Sequence, residues 1–187
     1  MKSARGRRVQ PEAAQAELFS AESARRNFLA ALAKAYRLLG IRARSEKELR
    51  DALARSGYNH EVIAQVIVEC KEKRFVNDAD FARQFVQNRL RHRPMGRMRL
   101  QIELRQKGVA AETISAILDE AFENSETTLQ LADQLAEKLR KRLSSLPAQK
   151  ARQRLADHLR RRGFDWEVIQ HTRTWRELQT LSNDSEE

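Results

Sequence analysis

Arginine and lysine side chains are the residues of this chain whose type and spacing could do chemistry, and that chemistry is the binding of anions. The 187 residues include 36 Lys and Arg against 26 Asp and Glu, which gives a formal net charge of +10. This balance indicates a polyanionic partner, such as nucleic acid, an acidic protein or a complex of the two. The segment from Lys138 to Gly163 holds ten of the cations and a single acid, Asp157.

Other kinds of chemistry find little support in the sequence. The four histidines are scattered, and none has a carboxylate or cysteine at metal-ligand spacing. Neither a GxxxxGK[ST] phosphate loop nor a GxSxG nucleophile motif is present. We therefore expect a protein that is not an enzyme, with no catalytic residues, no bound metal and no cofactor.

One helix-ending pattern, written three times, must position the cations. In each copy two leucines stand four residues apart, and a glycine followed by an apolar or aromatic residue comes four residues later. The copies span Leu49–Tyr58, Leu100–Val109 and Leu155–Phe164, and their glycines lie 51 and 55 residues apart. A period of this size indicates a small helical unit used in tandem. Each glycine can adopt the left-handed conformation that often ends a helix.

Apolar spacing divides each repeat into three helices, so three modules of three helices are expected, each sharing apolar surface with its neighbour. The expected segments are a basic flexible N-terminal tail (1–22), module one (23–75), module two (76–124), module three (125–181) and an acidic C-terminal tail (182–187). Gly40 is expected to end the first helix. The lone cysteine, Cys70, shares a helix face with Ile63, Val66 and Ile67, which favours a reduced thiol in the core.

Helix caps support these divisions. Ser45 and Glu48 have the spacing of a capping box, in which each side chain binds a free amide at a helix start. Asn59 and Asp165 hold the equivalent capping position before the last helix of modules one and three. Asn77, with Asp78, is a candidate cap for the first helix of module two.

Comparison of equivalent positions in the repeats separates fold from function. Four positions on the second helix of module one carry no cation, whereas the same positions in modules two and three carry arginine or lysine. Because all three helices serve the same fold, the fold does not require these cations. A solvated face kept for solubility is the alternative interpretation. The candidate binding residues are Arg89, Arg93, Arg97, Arg99, Arg105, Lys107, Arg140, Lys141, Arg142, Lys150, Arg152, Arg154, Arg160, Arg161 and Arg162.

Two further features limit the possible functions. The last helices of modules one and two are apolar and acidic. A helix that recognises a DNA sequence would instead need side chains that bind base edges, so operator binding is disfavoured.

Met98 and Ile102 lie one turn apart, off the Leu100–Leu104 stripe. They favour packing between modules, and the alternative is a hydrophobic dock for a partner.

The central motif resembles the signature of the RecX family of bacterial recombination regulators. The resemblance rests on the segment Val76–Arg89, the Pro94–Gly96 tripeptide and the Leu100–Val109 copy of the repeat, with the segment from Ser45 to Gly57 similar to the family's opening motif. It covers about residues 28–181. The sequence departs from the family in a longer basic N-terminal extension and a longer break before Pro147.

The resemblance implies an all-α, elongated and curved helical-repeat protein of three tandem three-helix modules. It implies a regulator that binds the RecA filament in its helical groove and inhibits RecA ATPase, strand exchange and coprotease activity, thereby modulating recombinational repair and the SOS response. The implied partners are the RecA filament and DNA, single-stranded above all and double-stranded as a second form. The alternative is a DNA-binding protein that contacts the backbone without sequence preference and has no protein target.

The expected location is the cytoplasm. No run reaches the roughly 18 apolar residues of a membrane span, and the N-terminus lacks the hydrophobic core of a signal peptide. We expect a monomer with no membrane partner.

Overall fold

The structure is a computed structural model that describes the backbone of residues 11–183 and the side chains of residues 21–181. Every regular element within that range is an α-helix. The helices are α1 (Pro11–Ile41), α2 (Glu46–Arg55), α3 (His60–Glu72), α4 (Asp78–His92), α5 (Arg97–Gln106), α6 (Ala111–Ala121), α7 (Ser125–Leu143), α8 (Ala148–Arg161), α9 (Trp166–His171) and α10 (Arg173–Asn183).

Three separate apolar clusters correspond to the three repeats. The first lies among α1, α2 and α3 and includes Leu49, Leu53 and Cys70. The second lies among α4, α5 and α6 around Leu100 and Leu104. The third lies among the four helices from α7 to α10, around Leu155 and Leu159. Residues up to Val76 form one compact unit, and residues from Asn77 onward form a second that holds both later clusters. The predicted all-α tandem repeat is confirmed.

The repeated glycine pattern is a Schellman motif, in which two backbone bonds satisfy carbonyls at a helix end. At the end of α8, the Gly163 amide donates to the Arg160 carbonyl (2.8 Å) and the Phe164 amide to the Leu159 carbonyl (3.1 Å). The ends of α2 and α5 carry the same pair of bonds. Gly57, Gly108 and Gly163 have φ of 88°, 81° and 86°. The left-handed conformation expected of them is therefore confirmed.

The predicted caps are confirmed as well. The side chain of Ser45 accepts a hydrogen bond from the amide of Glu48, and that of Asn59 from the amide of Val62. Asn77 caps α4, and Asp165 caps α9. These bonds explain where the helices start: each side-chain oxygen satisfies an amide that has no partner inside its helix.

Four local expectations were wrong. Helix α1 begins at Pro11, so the predicted flexible tail does not extend over residues 11–22, whereas residues 1–10 lie outside the described range. Gly40 lies inside the last turn of α1 and does not end it. The last helix of the third module is divided in two at Thr172, which is fully buried. Of the predicted acidic tail, residues 182 and 183 belong to α10, and residues 184–187 lie outside the described range.

Candidate polyanion-binding surface

The third module carries a cationic groove between α7 and α8. Four residues of α8 at helical spacing lie along one side of it, and one turn of α7 forms the other side. The groove has a volume of about 370 Å³. Its lining residues are Leu139, Arg142, Leu143, Arg154, Asp157, His158 and Arg161. These positions adjoin Leu155 and Leu159, which are fully buried, so packing of the leucines places the charged residues at the rim.

The guanidinium groups of this groove are available to a partner. Arg142, Arg154 and Arg161 are exposed. Within the part of the chain that the structure describes, none of the three has an acidic side chain within ion-pair distance. Asp157 is the one acid among the lining residues. The groove therefore carries more positive than negative charge, and no ion pair among the described residues engages its three guanidinium groups.

The imidazole of His158 responds to this charge. Burial lowers the pKa of His158 below its ordinary value of 6.5, and the charges of Arg162 and Arg161 lower it further. Both causes disfavour the protonated ring. An anion bound in the groove would act in the opposite direction and raise the pKa of His158.

Two further arginines of α8 lie against tryptophan rings. The guanidinium of Arg160 is 5.2 Å from the ring centroid of Trp166, and that of Arg152 is 5.8 Å from the centroid of Trp175. The tryptophans themselves meet edge to face, with centroids 5.0 Å apart. Arg160 and Arg152 are thus held by cation–π contacts.

In the second module, most of the predicted cations already have an internal partner. Arg97 binds Asp119 on α6 at 2.7 Å, and Arg99 binds Glu103 at 3.1 Å. Arg89 reaches the same Glu103 at 3.1 Å and also lies over the ring of Phe85. Lys107 lies over both Phe81 and Phe85. Internal ion pairs therefore engage Arg89, Arg97 and Arg99 of the second module, which the sequence alone did not reveal.

The remaining candidates differ in their surroundings. Arg140 pairs with Glu137 and, across the module, with Glu177 at 3.4 Å. Arg93 and Arg105 are exposed, and no ion pair to either is found among the described residues. The same holds for Lys141 and Lys150 on the third module, whereas Arg162 is half-buried at the end of α8.

A backbone contact that sequence reasoning missed joins the second module to the third. The amide of Gly96, which precedes α5, donates to the carbonyl of Arg162 at the end of α8 (2.8 Å). A Cβ atom on Gly96 would lie 2.1 Å from the carbonyl oxygen of Gly163, and one on Gly163 would lie 2.3 Å from the amide nitrogen of Arg99. Both modules therefore need glycine here. The contact brings the cationic start of α5 to the cationic end of α8.

Met98 and Ile102 do not form the junction between the second module and the third. Their residues are 59% and 44% exposed, and the junction is formed instead by Gly96 and Gly163. The residue from which this junction could have been predicted is Gly96, because it stands just before a helix and supplies no side-chain cap. A glycine in that position has another reason to be there, such as close approach of backbones.

The described residues offer neither a cluster of metal ligands nor a helix suited to span a membrane. No cluster of three His, Cys, Asp or Glu side chains that could hold a metal ion was found between residues 21 and 181. Over the helices that the structure describes, none combines the length and the apolar character needed to cross a membrane.

Comparison with protein families matches all three repeats of the chain. Models described as the first, second and third three-helix domains of RecX match residues 31–70, 77–118 and 126–172. A protein of Chlorobium limicola named Regulatory protein RecX is 33% identical over 144 residues, which cover 77% of this chain and 87% of that protein. One of the same name from Mycolicibacterium smegmatis is 38% identical and covers 69% of this chain and 70% of its own length.

Solved structures share the fold. A crystal structure of a regulatory protein RecX superposes with a TM-score of 0.77 at 20% identity, covering 90% of this chain and 80% of the other. The crystal structure of RecX from Lactobacillus salivarius gives 0.68 at 19% identity, covering 86% and 97%. The similar relatives are named regulatory proteins.

Proposed function

Because the chain belongs to the RecX family, whose relatives are named regulatory proteins, we propose that it regulates the RecA recombinase by binding the RecA nucleoprotein filament. It lies in the helical groove of the filament and inhibits ATP hydrolysis, strand exchange and coprotease activity. It acts by binding and not by catalysis, in the cytoplasm, and so modulates recombinational repair and the SOS response.

The observation that carries this proposal is the uncompensated groove of the third module. A filament of protein on DNA presents phosphates and acidic side chains, and guanidinium groups form strong charge-assisted bonds with both. Arg142, Arg154 and Arg161 are exposed and have no acid within ion-pair distance among the described residues, so binding does not first require an internal pair to break. Contacts of this kind repeated on several filament subunits add avidity without strong individual sites.

The test is inhibition of RecA ATPase on single-stranded DNA by a variant in which Arg142, Arg154 and Arg161 are replaced by Gln. The loss of three exposed ionic contacts, at about 0.3–1 kcal/mol each, raises the inhibitory concentration about five- to 150-fold. The matched control replaces Arg42, Arg50 and Lys71 with Gln, because these cations pair with acids of the first unit. Both variants lose three positive charges, so a general effect of net charge would weaken them equally.

Two results would contradict the proposal. Full inhibition by the folded Arg142, Arg154 and Arg161 variant would refute the assignment of the site. An equal loss of inhibition in both variants would mean that the groove acts only through the net charge of the protein and not as a specific site. Helicity by circular dichroism verifies that each variant is folded.

A second candidate function is backbone binding to DNA without a protein target, and the same free guanidinium groups favour it. The two functions differ in stoichiometry. A filament regulator inhibits the ATPase at amounts far below those that cover the strand, whereas competition for DNA requires enough protein to cover it. Titration at several salt concentrations separates them further, because affinity for phosphates falls steeply with salt.

A further inference from the structure

The two tryptophans of the chain, Trp166 and Trp175, form a pair on one side of the third module. Trp166 is 43% exposed at the start of α9, whereas Trp175 is partly buried against the third core. The rings meet edge to face, at an interplanar angle of 82°. Trp175 therefore fixes the orientation of Trp166 and leaves much of its surface in solvent.

An indole this exposed costs hydrophobic free energy in the isolated protein. Among the described residues of the third module, the large apolar side chains that are exposed are Trp166 and Leu181. Trp166 has a cation against it instead, since the guanidinium of Arg160 lies over its ring at 5.2 Å from the centroid. Protein-binding hot spots lie inside well-packed apolar patches, and no such patch surrounds this ring.

We propose that Trp166 and Arg160 form a stacking site for one unpaired base of a single-stranded nucleic acid. Every base presents a π-face that stacks on an aromatic ring, and basic side chains beside the ring hold the phosphates. The exposed surface of Trp166 receives the base. Arg160 either stacks on the opposite face of that base or turns to a neighbouring phosphate. Bases of a duplex are already stacked on each other, so the site selects single strands.

The two acids next to Trp166 in the chain, Asp165 and Glu167, face elsewhere. Asp165 is engaged in capping α9, where its side chain accepts a bond from the amide of Val168. Asp165 and Glu167 both line a separate groove that includes Arg97. Arg160 is the charged group that lies over the face of the indole.

This inference goes beyond the proposed regulation of RecA, because it concerns bases and is measured on DNA alone. The Trp175→Phe variant keeps an aromatic ring in the pair and leaves Trp166 as the sole tryptophan. Titration of this variant with a short oligothymidine quenches its fluorescence as a base stacks on the indole. A duplex of half that length, which carries about the same number of phosphates, binds without that quenching.

Affinity gives the second readout. Trp166→Ala weakens binding of oligothymidine about five- to hundredfold, the usual loss for one stacked base, and leaves duplex affinity unchanged. Trp166→Phe recovers part of the loss, since a smaller ring still stacks. Met98→Ala removes a comparably exposed apolar side chain from α5 and serves as the matched control, with unchanged affinity.

Three outcomes would overturn the stacking site. They are the absence of quenching by oligothymidine, an equal loss of single-strand and duplex affinity in Trp166→Ala, and quenching of Trp166 by DNA-free recombinase but not by oligothymidine. The last would identify the indole as a protein contact. A failed stacking test with intact ATPase inhibition would leave the regulatory proposal standing, so the two are distinguishable.

Discussion

The contact between Gly96 and Gly163 yields the sharpest prediction, which is that Gly96→Ala destabilises the second unit through the junction alone. Gly96 has φ of −75° and ψ of 167°, values that alanine adopts without strain. Its new Cβ would meet the carbonyl oxygen of Gly163 at 2.1 Å and the carbonyl carbon at 2.3 Å. These are backbone atoms that cannot rotate away, so the two modules must move apart by roughly 1 Å, as overpacked groups do.

The magnitude follows from two losses and one gain. Overpacking costs about 1–3 kcal/mol. The 2.8 Å bond from the Gly96 amide to the Arg162 carbonyl is stretched or broken, at about 1 kcal/mol. Alanine also reduces the entropy of the unfolded chain, which returns about 0.4–1 kcal/mol. The free energy of unfolding therefore falls by about 1–4 kcal/mol.

Other glycines of the chain provide matched controls. Gly40→Ala lies in helix α1 with nothing within 4 Å of the new Cβ, so it is expected to stabilise by about 0.5–1 kcal/mol. Gly57 and Gly163 share a left-handed conformation, but a Cβ on Gly57 meets nothing within 4 Å. The extra cost of Gly163→Ala over Gly57→Ala therefore measures the junction, free of the conformational penalty of about 1–2 kcal/mol common to both.

The assay is urea unfolding followed by two signals. Both tryptophans lie in the third module, so their fluorescence reports that module, and far-ultraviolet circular dichroism reports all the helices. Gly96→Ala shifts the fluorescence transition to lower urea. If Gly96→Ala were as stable as the unmodified protein, or if Gly163→Ala cost no more than Gly57→Ala, the described junction would be wrong.

Two more predictions concern the third module. The Asp133 carboxylate on α7 accepts a 2.7 Å hydrogen bond from the Arg173 amide and so caps the start of α10. Asp133→Ala is expected to lower the free energy of unfolding by about 0.5–2 kcal/mol, whereas Asp133→Asn keeps an acceptor and most of the stability. Equal losses for the two variants in urea unfolding would argue against the cap. The pKa of His158 is lower in the folded protein than in the unfolded chain. As the pH falls below 6.5, the unfolded chain therefore binds a proton before the folded protein does, and the free energy of unfolding declines until the pH reaches the folded pKa. His158→Gln should remove this part of the pH dependence, and an NMR titration that places the His158 pKa at or above 6.5 would contradict the explanation.

Much of the fold could be predicted because its signals are local. A Schellman motif or a side-chain cap joins residues three to five positions apart, so residue types such as Ser45, Asn59 and Gly163 suffice to predict helix ends. The buried thiol of Cys70 was predictable in the same way, from its helix face, and burial raises its pKa. The start of α1 was missed because the early residues lack a sustained apolar stripe.

The candidate site was less predictable, since charge and spacing do not reveal which cations have partners. Arg97 and Asp119 are 22 residues apart, and Arg89 and Glu103 are 14 apart. The binding role of all the candidate cations stays a prediction. The sequence offered candidate cations on both the second and the third module, and the structure places the unpaired guanidinium groups of Arg142, Arg154 and Arg161 in one groove of the third.

The sequence by itself determined that this chain is a tandem array of small helical modules with excess positive charge, because helix ends, caps and apolar faces depend on neighbours a few positions away. Only the tertiary structure decided which guanidinium groups remain free and where the second module meets the third. Gly96 and Arg162 come together from distant parts of the chain. Such contacts depend on how whole helices pack, and no local pattern of residues encodes them.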